Sequence, residues 1–502
     1  PMKVLFVLFD SLNRNALGAY GGTRMSTPNF DRFAAKSIRF DNHYVGSMPC
    51  MPARRDLHTG RLNFMHRSWG PLEPFDNSMI RELKSSGIWT HMITDHAHYW
   101  MEGGATYHTQ YSSFDFIRGQ EKDRWKAMVQ PPLERWREMY HPQQMHGMDE
   151  KHVPYMISRE HQPTEADMPL AKCMASAFEF LDTNGDKDGW FCHLECFDPH
   201  EPFWSPERFQ GRRDSGYEGP ILDWPRYDKV SESAEEIEEL RNNYAGLVEM
   251  CDDYFGRLLD HLDTHDLWKD TVVILTTDHG FLLGEHEWWA KNITPYYNEI
   301  AHIPLIIYHP DHADQGGTSR QALTQTMDLM PTILSLFDAP VPEQVEGRDL
   351  TPLLGQDGPG HDAVAYGIFG GSVNITDGRY TYFKYPENMA DQEIYEYTLM
   401  PMHLEDAFSV ENLCEAELSP PLEYAEGLKV LKIPARKSED GAVEVPCMGQ
   451  SRETKTVLYD LSIDPGQYTP IDAPDVVERL ENEMRKIMRR NQVPHEAYRR
   501  IG

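Results

Sequence analysis

The segment 47–60 contains a cysteine in a setting that favours chemistry. Cys50 is followed by Pro52, a residue suited to the first turn of a helix, and then by Arg54. A helix is therefore expected to begin near Cys50, where its dipole favours an anion or an activated nucleophile. Arg55, Arg61 and Arg67 extend this positive charge into a basic island suited to a substrate with an anionic head. A lone cysteine in this position is more often a buried thiol before a helix with solvated arginines, so other residues must decide.

Three further side chains could bind a divalent cation. Asp10 follows the apolar run 3–9, and Asp278 and His279 follow the apolar run 271–277. Carboxylate oxygens and imidazole nitrogens are hard to borderline metal ligands. An aspartate after a strand often serves as a turn former or helix cap instead. Two such positions, one with an adjacent histidine, favour a metal site.

Two more residues are candidates for proton transfer or anion binding. His200 lies between Pro199 and Pro202, which restrict the backbone and so limit where the ring can point. A stiff loop of this kind suits a general acid or base. Lys291 follows the aspartate–histidine pair along the chain. Because lysines are normally surface residues, Lys291 gains significance only together with the other candidates.

Alternating strands and helices are predicted to position these residues. Short apolar runs indicate buried strands, and helical periodicity appears between them; the strands are 3–9, 189–194, 271–277 and 303–308, and the helices are 28–36, 168–182 and 233–262. This alternation predicts the α/β class, with a large, mostly parallel sheet sandwiched by helices. Ligands of such sheets bind beyond the carboxyl ends of the strands, where Asp10, Asp278 and His279 are expected.

The remaining chain predicts a pocket wall and a second domain. Residues 99–165 are irregular and rich in Tyr, Trp, His, Met and Pro, as is typical of an insertion that shapes a pocket or a subunit contact. Strand-like pieces at 379–385 and 456–461, followed by an amphipathic helix at 473–490, indicate a small α+β subdomain. We therefore divide the chain into a catalytic domain, 1–360, and a C-terminal subdomain, 361–502, with a small antiparallel sheet and a terminal helix.

Composition and charge exclude some classes of partner. The 502 residues are 40% hydrophobic and carry a net charge of −32, which argues against nucleic acid and anionic membranes. Seven scattered cysteines predict mostly buried, reduced thiols. No apolar stretch reaches the length of a membrane span, and no signal peptide precedes the first apolar run, so we expect a cytoplasmic protein. The sequence leaves a homo-oligomer open.

The order of these motifs resembles that of the type I, formylglycine-dependent sulfatases of the alkaline phosphatase superfamily. The specific part is Cys50-x-Pro52-x-Arg54, followed by Thr59-Gly60. Collinear with it are Asp10, Thr27-Pro28-Asn29, Asp198-Pro199-His200, Thr277-Asp278-His279-Gly280, Lys291 and Leu458-Tyr459-Asp460. The resemblance covers almost the whole chain and implies an alkaline phosphatase-like fold.

The resemblance also implies a nucleophile and a cofactor. A formylglycine-generating maturation enzyme would oxidise Cys50 to formylglycine, whose hydrate would attack sulfur while Arg54 holds it. One divalent cation would be bound by Asp10, residue 50, Asp278 and His279. Ca²⁺ is expected first, with Mn²⁺ or Zn²⁺ as alternatives. Lys291 and the cation would neutralise the sulfuryl oxygens, and His200 and Lys291 would bind sulfate or protonate the leaving alcohol.

Two departures from the family pattern affect these expectations. Many sulfatases carry a second aspartate directly after the first, where this chain has Ser11; phosphonate monoester hydrolases, close relatives, also lack it and pair Asp with His. Sulfatases usually have a lysine and a histidine two residues apart, where this chain has His96 and His98. We predict His98 as the base that releases sulfate and His96 as a substituted substrate-binding group. Either could instead be a loop histidine with only structural contacts.

The sequence therefore predicts a sulfuric-ester hydrolase that acts on a sulfate monoester of a sugar or an aryl alcohol. The aromatic and histidine-rich segment 96–161 would provide a platform for that alcohol. A phosphonate monoester or phosphodiester hydrolase with the same site is the alternative. A third hypothesis is a catalytically inactive metal- or glycan-binding protein with unmodified Cys50.

Overall fold

The computed structural model describes residues 2–145, 152–389, 391–435 and 453–502. Its strands are β1 (Lys3–Phe9), β2 (Ile38–Tyr44), β3 (Trp89–Thr94), β4 (Ser113–Phe116), β5 (Trp190–Cys196), β6 (Thr271–Thr276), β7 (Leu282–Leu283), β8 (Trp289–Ala290), β9 (Leu305–Tyr308), β10 (Ser319–Gln325), β11 (Val364–Gly367), β12 (Val373–Thr376), β13 (Tyr380–Lys384), β14 (Tyr395–Thr398), β15 (Glu417–Leu418), β16 (Leu431–Pro434) and β17 (Val457–Asp460).

The helices connect and cover these strands. They are α1 (Pro28–Lys36), α2 (Cys50–Thr59), α3 (Met79–Ser85), α4 (Ala105–His108), α5 (Leu133–Met139), α6 (Pro142–Met145), α7 (His152–Glu160), α8 (Pro169–Asn184), α9 (Ala234–Thr264), α10 (Asn298–Ala301), α11 (Leu329–Leu336), α12 (Pro352–Gly355), α13 (Val410–Cys414), α14 (Pro474–Arg490) and α15 (His495–Ile501). The longest, α9, begins at a capping box in which Ser233 and Glu236 satisfy each other's backbone N–H groups.

An eight-stranded sheet in the order β10-β2-β9-β6-β1-β5-β3-β4 forms the centre of the molecule. Every residue of β1 and β6 is buried, as the continuous apolar runs predict for strands covered on both faces. The mostly parallel α/β fold is therefore confirmed. β9 differs from this pattern, because it pairs antiparallel with both β6 and β2. The chain reverses direction through residues 277–304, which contain β7, β8 and the single turn α10 but no helix that crosses the sheet, as a parallel pair would usually need.

Helices cover the sheet on both faces. On one face, α1, α8 and α9 pack through Phe30, Leu170 and Leu247 against β1 residues such as Leu5 and Val7. On the other, α2, α3 and α11 pack with side chains such as Leu57 against the alternate β1 residues, including Val4. This alternation reflects the period of two along a strand. The two helix layers fix the strand ends between them.

The C-terminal region adds two smaller antiparallel sheets, in the orders β11-β12-β13-β17 and β14-β16-β15. Helix α14 packs against the first of them through Leu480 and Met484. A small antiparallel sheet and the helix predicted at 473–490 are present, the latter as α14, whereas the second small sheet and the closing helix α15 were not predicted. The boundary at residues 360 and 361 stays a prediction, since Val364 and Phe383 share an apolar cluster with Val4 of the central sheet.

Two chain-wide expectations concern membranes and cysteines. Within the described ranges, no helix combines the length and the apolar character needed to cross a bilayer. The described cysteines are free thiols, and all of them except Cys414 are buried, largely as predicted. Cys447 lies outside the described residues.

Candidate active site

The predicted metal ligands meet at the carboxyl end of the central sheet. Asp10 follows β1, Asp278 and His279 follow β6, and Cys50 is the first residue of α2. Because β1 and β6 are adjacent parallel strands, the residues after them emerge side by side. One ligand atom from each of the four side chains lies within 4.8 Å of the others. All four residues are buried.

Arg54 holds the carboxylates of this cluster together. It lies one turn after Cys50, and its guanidinium donates to Asp10 at 2.8 Å and to Asp278 at 2.7 Å. Its Nε lies 3.2 Å from both carboxylate oxygens of Glu195. Nη1 also donates to the Cys50 carbonyl oxygen at 2.7 Å. The planar fork of arginine supplies five such donors, so one cation serves three carboxylates here.

The two aspartates are ionised in this setting. Burial and the neighbouring Asp278 raise the pKa of Asp10, but Arg54 and other nearby cations outweigh them and bring it below its ordinary value. Burial likewise raises the pKa of Asp278, whereas His279 and Arg54 lower it to well below the usual range. Both side chains therefore offer anionic oxygens at neutral pH.

The charges and donor atoms of the cluster fit a divalent cation. Four buried carboxylates face two buried cations; the carboxylates belong to Asp10, Glu195, Glu201 and Asp278, and the cations to Arg54 and Lys291. His279 Nδ1 lies 2.8 Å from the Gly280 carbonyl oxygen, an acceptor, so this nitrogen carries the proton. Its Nε2 lies 3.1 Å from Cys50 Sγ and 3.1 Å from Asp278 Oδ2, and in the neutral imidazole it offers a lone pair to a cation. A backbone acceptor on the far nitrogen is the usual way to prepare an imidazole for a metal.

Cys50 belongs to the metal-ligand cluster and also borders a cavity. Its side chain lines the cavity and is 2% exposed. Burial and then the Asp10 carboxylate raise the pKa of the Cys50 thiol well above its ordinary value, although Lys291 opposes them. A neutral thiol is a weak nucleophile. The helix terminus alone therefore does not activate Cys50.

Lys291 and His200 approach the cluster from the cavity. Lys291 Nζ lies 3.2 Å from Ser11 Oγ and 3.6 Å from Glu201 Oε2. Burial lowers the pKa of Lys291, but Cys50 and Glu201 raise it overall, so the ammonium stays charged. His200 Nδ1 lies 2.5 Å from the Glu201 carbonyl oxygen, so Nδ1 carries the proton and Nε2 is an acceptor. A fixed cation beside an imidazole can bind an anion and move a proton.

His96 and His98 form a buried pair with a defined order of protons. Arg54 Nη2, which can only donate, lies 3.2 Å from His96 Nδ1. Burial lowers the pKa of both imidazoles, so each is neutral and His96 carries its proton on Nε2. That nitrogen donates to His98 Nδ1 at 2.6 Å, so His98 carries its own proton on Nε2, 3.7 Å from Glu405 Oε1.

This order of protons bears on the predicted roles of both histidines. His98 lines the cavity and presents an N–H there, whereas the predicted base needs a lone pair at that position. The arrangement therefore favours His98 as a donor. His96 is fully buried and, among the described residues, does not belong to the cavity lining. Its predicted contact with substrate stays a prediction.

The cavity has a volume of ≈ 340 Å³ and a wall built from separate parts of the chain. Trp69, Trp224 and Tyr227 supply aromatic surface. Segment 99–165 contributes Lys122 among others, which confirms its predicted part in a pocket, and Lys122 pairs with Glu405 from the C-terminal region. Aromatic faces with both signs of charge suit a polar ring such as a sugar.

The prediction that Arg55, Arg61 and Arg67 form a basic island for the substrate is wrong. Arg55 pairs with Asp76 at 2.7 Å, and Arg67 pairs with Glu396 at 2.9 Å. Arg61 Nη2 lies 3.4 Å from the Asn491 carbonyl oxygen. None of these three guanidiniums lines the cavity in the described part of the chain. Counting charges along the sequence overlooked the buried acceptors that the fold supplies.

Several residues at the site were not predicted. Glu195 is the penultimate residue of β5, lies beside Arg54 and also accepts from Tyr99 Oη at 2.8 Å. Tyr227 Oη donates to the Glu201 carboxylate that faces Lys291. For Glu195 a signal existed, namely an acidic residue within a fully buried and mostly apolar strand. Tyr227 carries no comparable local signal.

Solved structures share this fold. The phosphonate monoester hydrolase of Agrobacterium radiobacter superposes with a TM-score of 0.66 at 17% identity, covering 98% of this chain and 96% of that one. A protein solved in complex with its substrate D-glucosamine-2-N,6-O-disulfate also gives 0.66, at 16% identity and with 99% of both chains covered. The alkaline phosphatase-like fold expected from the motifs is thereby confirmed.

The fold and the sequence together define an enzyme of the sulfuric-ester hydrolase class. The sulfatase family profile matches residues 3–339, and the chain belongs to that family. Residues 284–419 match the profile described as N-sulphoglucosamine sulphohydrolase, C-terminal. The N-acetylglucosamine-6-O-sulfatase of Bacteroides thetaiotaomicron is 23% identical over 404 residues, 71% of each chain. The multifunctional alkaline phosphatase superfamily protein PehA of Trinickia caryophylli is 25% identical over 384 residues, 67% of this chain and 72% of its own.

Proposed function

We propose that this sulfatase hydrolyses a sulfate monoester of a sugar or an aryl alcohol, with residue 50 as nucleophile after conversion of Cys50 to formylglycine. The position of Cys50 supports this proposal most directly. Its side chain lies within 4.8 Å of the ligand atoms of Asp10, Asp278 and His279, and it also lines the cavity. A reacting group there meets the substrate on one side and a bound cation on the other. The neutral thiol is poorly suited to attack, which favours its conversion.

One divalent cation would be held by Asp10, residue 50, Asp278 and His279. Oxygen ligands favour Ca²⁺, and the imidazole keeps Mn²⁺ and Zn²⁺ as alternatives. When bound, the cation would supply positive charge beside the sulfuryl oxygens.

The chain's own residues would bind the sulfate group and move its protons. Lys291, positioned by Ser11 and Glu201, would stabilise negative charge on the sulfuryl oxygens. His98, with its N–H on Nε2, would donate to a sulfate oxygen or to the leaving alcohol. His200, with a lone pair on Nε2, would accept the proton of the residue-50 hydroxyl whose loss expels sulfate.

A sulfated saccharide is the substrate class that the cavity favours. Trp69, Trp224 and Tyr227 offer faces on which a sugar ring can pack, and charged side chains can bind its hydroxyl groups. Relatives named for sulfated amino sugars agree with this choice. The maturation enzyme that produces formylglycine would be the one obligatory protein partner.

The decisive experiment measures both the chemical state of residue 50 and the hydrolysis of sulfate esters. Protein from a host that contains the maturation enzyme should show, in the Cys50 peptide, the mass loss that replaces CH₂–SH by CHO. Cys50→Ala should abolish hydrolysis of every sulfate ester that the wild type cleaves. Full activity with an unmodified thiol would contradict the proposal. So would inactivity of converted protein on all sulfate esters.

Phosphonate monoester hydrolysis is the second candidate, because Ser11 stands where many sulfatases have an aspartate and the metal cluster pairs Asp278 with His279. The ratio of kcat/KM for an aryl sulfate and the matching aryl phosphonate, measured on one preparation, separates the two. A large preference for the phosphonate would make phosphonate monoester hydrolysis the first candidate function. Binding of a sulfated sugar in calorimetry without turnover would favour the third hypothesis, an inactive binding protein.

A further inference from the structure

A second group of metal-binding side chains lies on the surface. Asp182 is in the last turn of α8, His261 is in the last turn of α9, and His265 directly follows α9. One ligand atom from each lies within 4.8 Å of the other two. None of the three belongs to the cluster around Cys50 or lines its cavity.

The two histidines lie on one face of the helix. The His265 amide donates to the His261 carbonyl oxygen at 3.1 Å, so helical spacing continues to residue 265. Side chains four residues apart are neighbours on a helix, and the two ring centroids are 4.3 Å apart. Phe178 stacks on His261 at 4.8 Å between centroids and fixes the plane of that imidazole. Histidines four residues apart on one helical face form a recurrent zinc-binding pair.

The distances suit three ligands of one tetrahedral ion. Asp182 Oδ1 lies 2.9 Å from His261 Nε2 and 3.5 Å from His265 Nε2. Ligand atoms bonded to zinc at about 2.1 Å in a tetrahedron are about 3.4 Å apart. Among the described residues, His261 Nε2 has no hydrogen-bond partner of normal geometry, despite the nearby carboxylate. That nitrogen is therefore buried, and the nearby Asp182 carboxylate does not give it a well-directed hydrogen bond.

We propose that Asp182, His261 and His265 form a second metal site, specific for a borderline divalent cation such as Zn²⁺. Two imidazoles select Zn²⁺ over Ca²⁺, which prefers a shell of oxygen atoms. The side chains of Asp182 and His265 are 55% and 46% exposed, so solvent can reach the ion and complete its coordination. The ion would tie the end of α8 to the end of α9, beside the segment that leads into β6. The inference is independent of the hydrolytic function.

Titration calorimetry with Zn²⁺, on tag-free protein in excess Ca²⁺, tests the site. The wild type should bind one equivalent more than His265→Ala and Asp182→Asn, and Zn²⁺ should raise the melting temperature of the wild type by several degrees more than that of either variant. His495→Ala removes an exposed histidine in α15 and should behave as the wild type. Circular dichroism in EDTA verifies that the variants are folded, and Asp182→Asn keeps the side-chain shape. Equal stoichiometry in the wild type and both variants would overturn the proposal.

Discussion

Replacing Arg54 by methionine should destabilise the protein and reverse the pH dependence of its stability. The guanidinium lies 2.8 Å from Asp10, 2.7 Å from Asp278 and 3.2 Å from Glu195, and all four groups are buried. Removing one partner of a buried ion pair costs about 3–5 kcal/mol, because an uncompensated charge remains. We expect Arg54→Met to lower the free energy of unfolding by about that amount at pH 7, in the presence of a chelator.

The sign of the pH dependence follows from the two aspartates. In the wild type, the pKa of Asp10 and of Asp278 is below the ordinary value of 3.8, so their contribution is present above that pH and is lost as pH falls through the folded pKa. Without Arg54, burial and mutual repulsion dominate and raise the pKa of the pair. The folded variant then binds more protons than the unfolded chain. Its stability should fall as pH rises above 4, by up to about 1.4 kcal/mol per pH unit for each extra proton.

Urea unfolding between pH 4 and 7, in EDTA, measures this difference. The chelator is needed because a bound cation would itself neutralise part of the aspartate charge that Arg54 neutralises. Arg208→Met is the matched control: Arg208 also contacts two carboxylates, but it is 40% exposed and should contribute at most about 1 kcal/mol. Parallel pH profiles for the wild type and Arg54→Met would refute the reasoning.

Three further predictions concern the reaction. Lys291→Met should lower kcat/KM for a sulfate ester by about 10²–10³-fold, because a preorganised charge is lost. Lys187→Met, at an exposed lysine, is the control and should leave kcat/KM unchanged. A loss below tenfold at Lys291 would contradict its role. His98→Gln, which retains an N–H near the position of Nε2, should keep kcat/KM at least tenfold above His98→Ala, and equal losses would favour a base instead. Ser11→Asp should tighten Ca²⁺ binding in calorimetry about tenfold, or 1.4 kcal/mol, because φ of +59° accommodates an aspartate and a ligand carboxylate is added. Unchanged affinity would show that position 11 does not face the ion.

Elements with strong local signals were predicted closely from the sequence. The run 3–9 is β1 (Lys3–Phe9), and α1 begins at Pro28 as the proline in its first turn indicates. Apolar runs and helix starts depend on neighbouring residues alone. The direction of β9 did not follow from its composition, because pairing direction is set by the length and path of the loop before it.

Sequence patterns likewise predicted some residues of the candidate site and missed others. The rule that parallel strands present their carboxyl ends together brought Asp10 and Asp278 into one cluster, as expected. Glu405 has no local pattern, since it reaches His98 only through the packing of the C-terminal region. The proton order at His98 depends on Arg54 acting through His96, a relation that sequence spacing cannot express.

The pair formed by Lys122 and Glu405 has a consequence for how this enzyme can diversify. The proposed metal ligands Asp10 and Asp278 follow strands of the buried central sheet, whereas this pair joins an insertion to the C-terminal region in the cavity wall. Loops tolerate substitution better than the layers that carry them. Substitutions at this pair would therefore reshape the cavity wall, and through Glu405 the surroundings of His98, while the strand ends that carry Asp10 and Asp278 keep their positions.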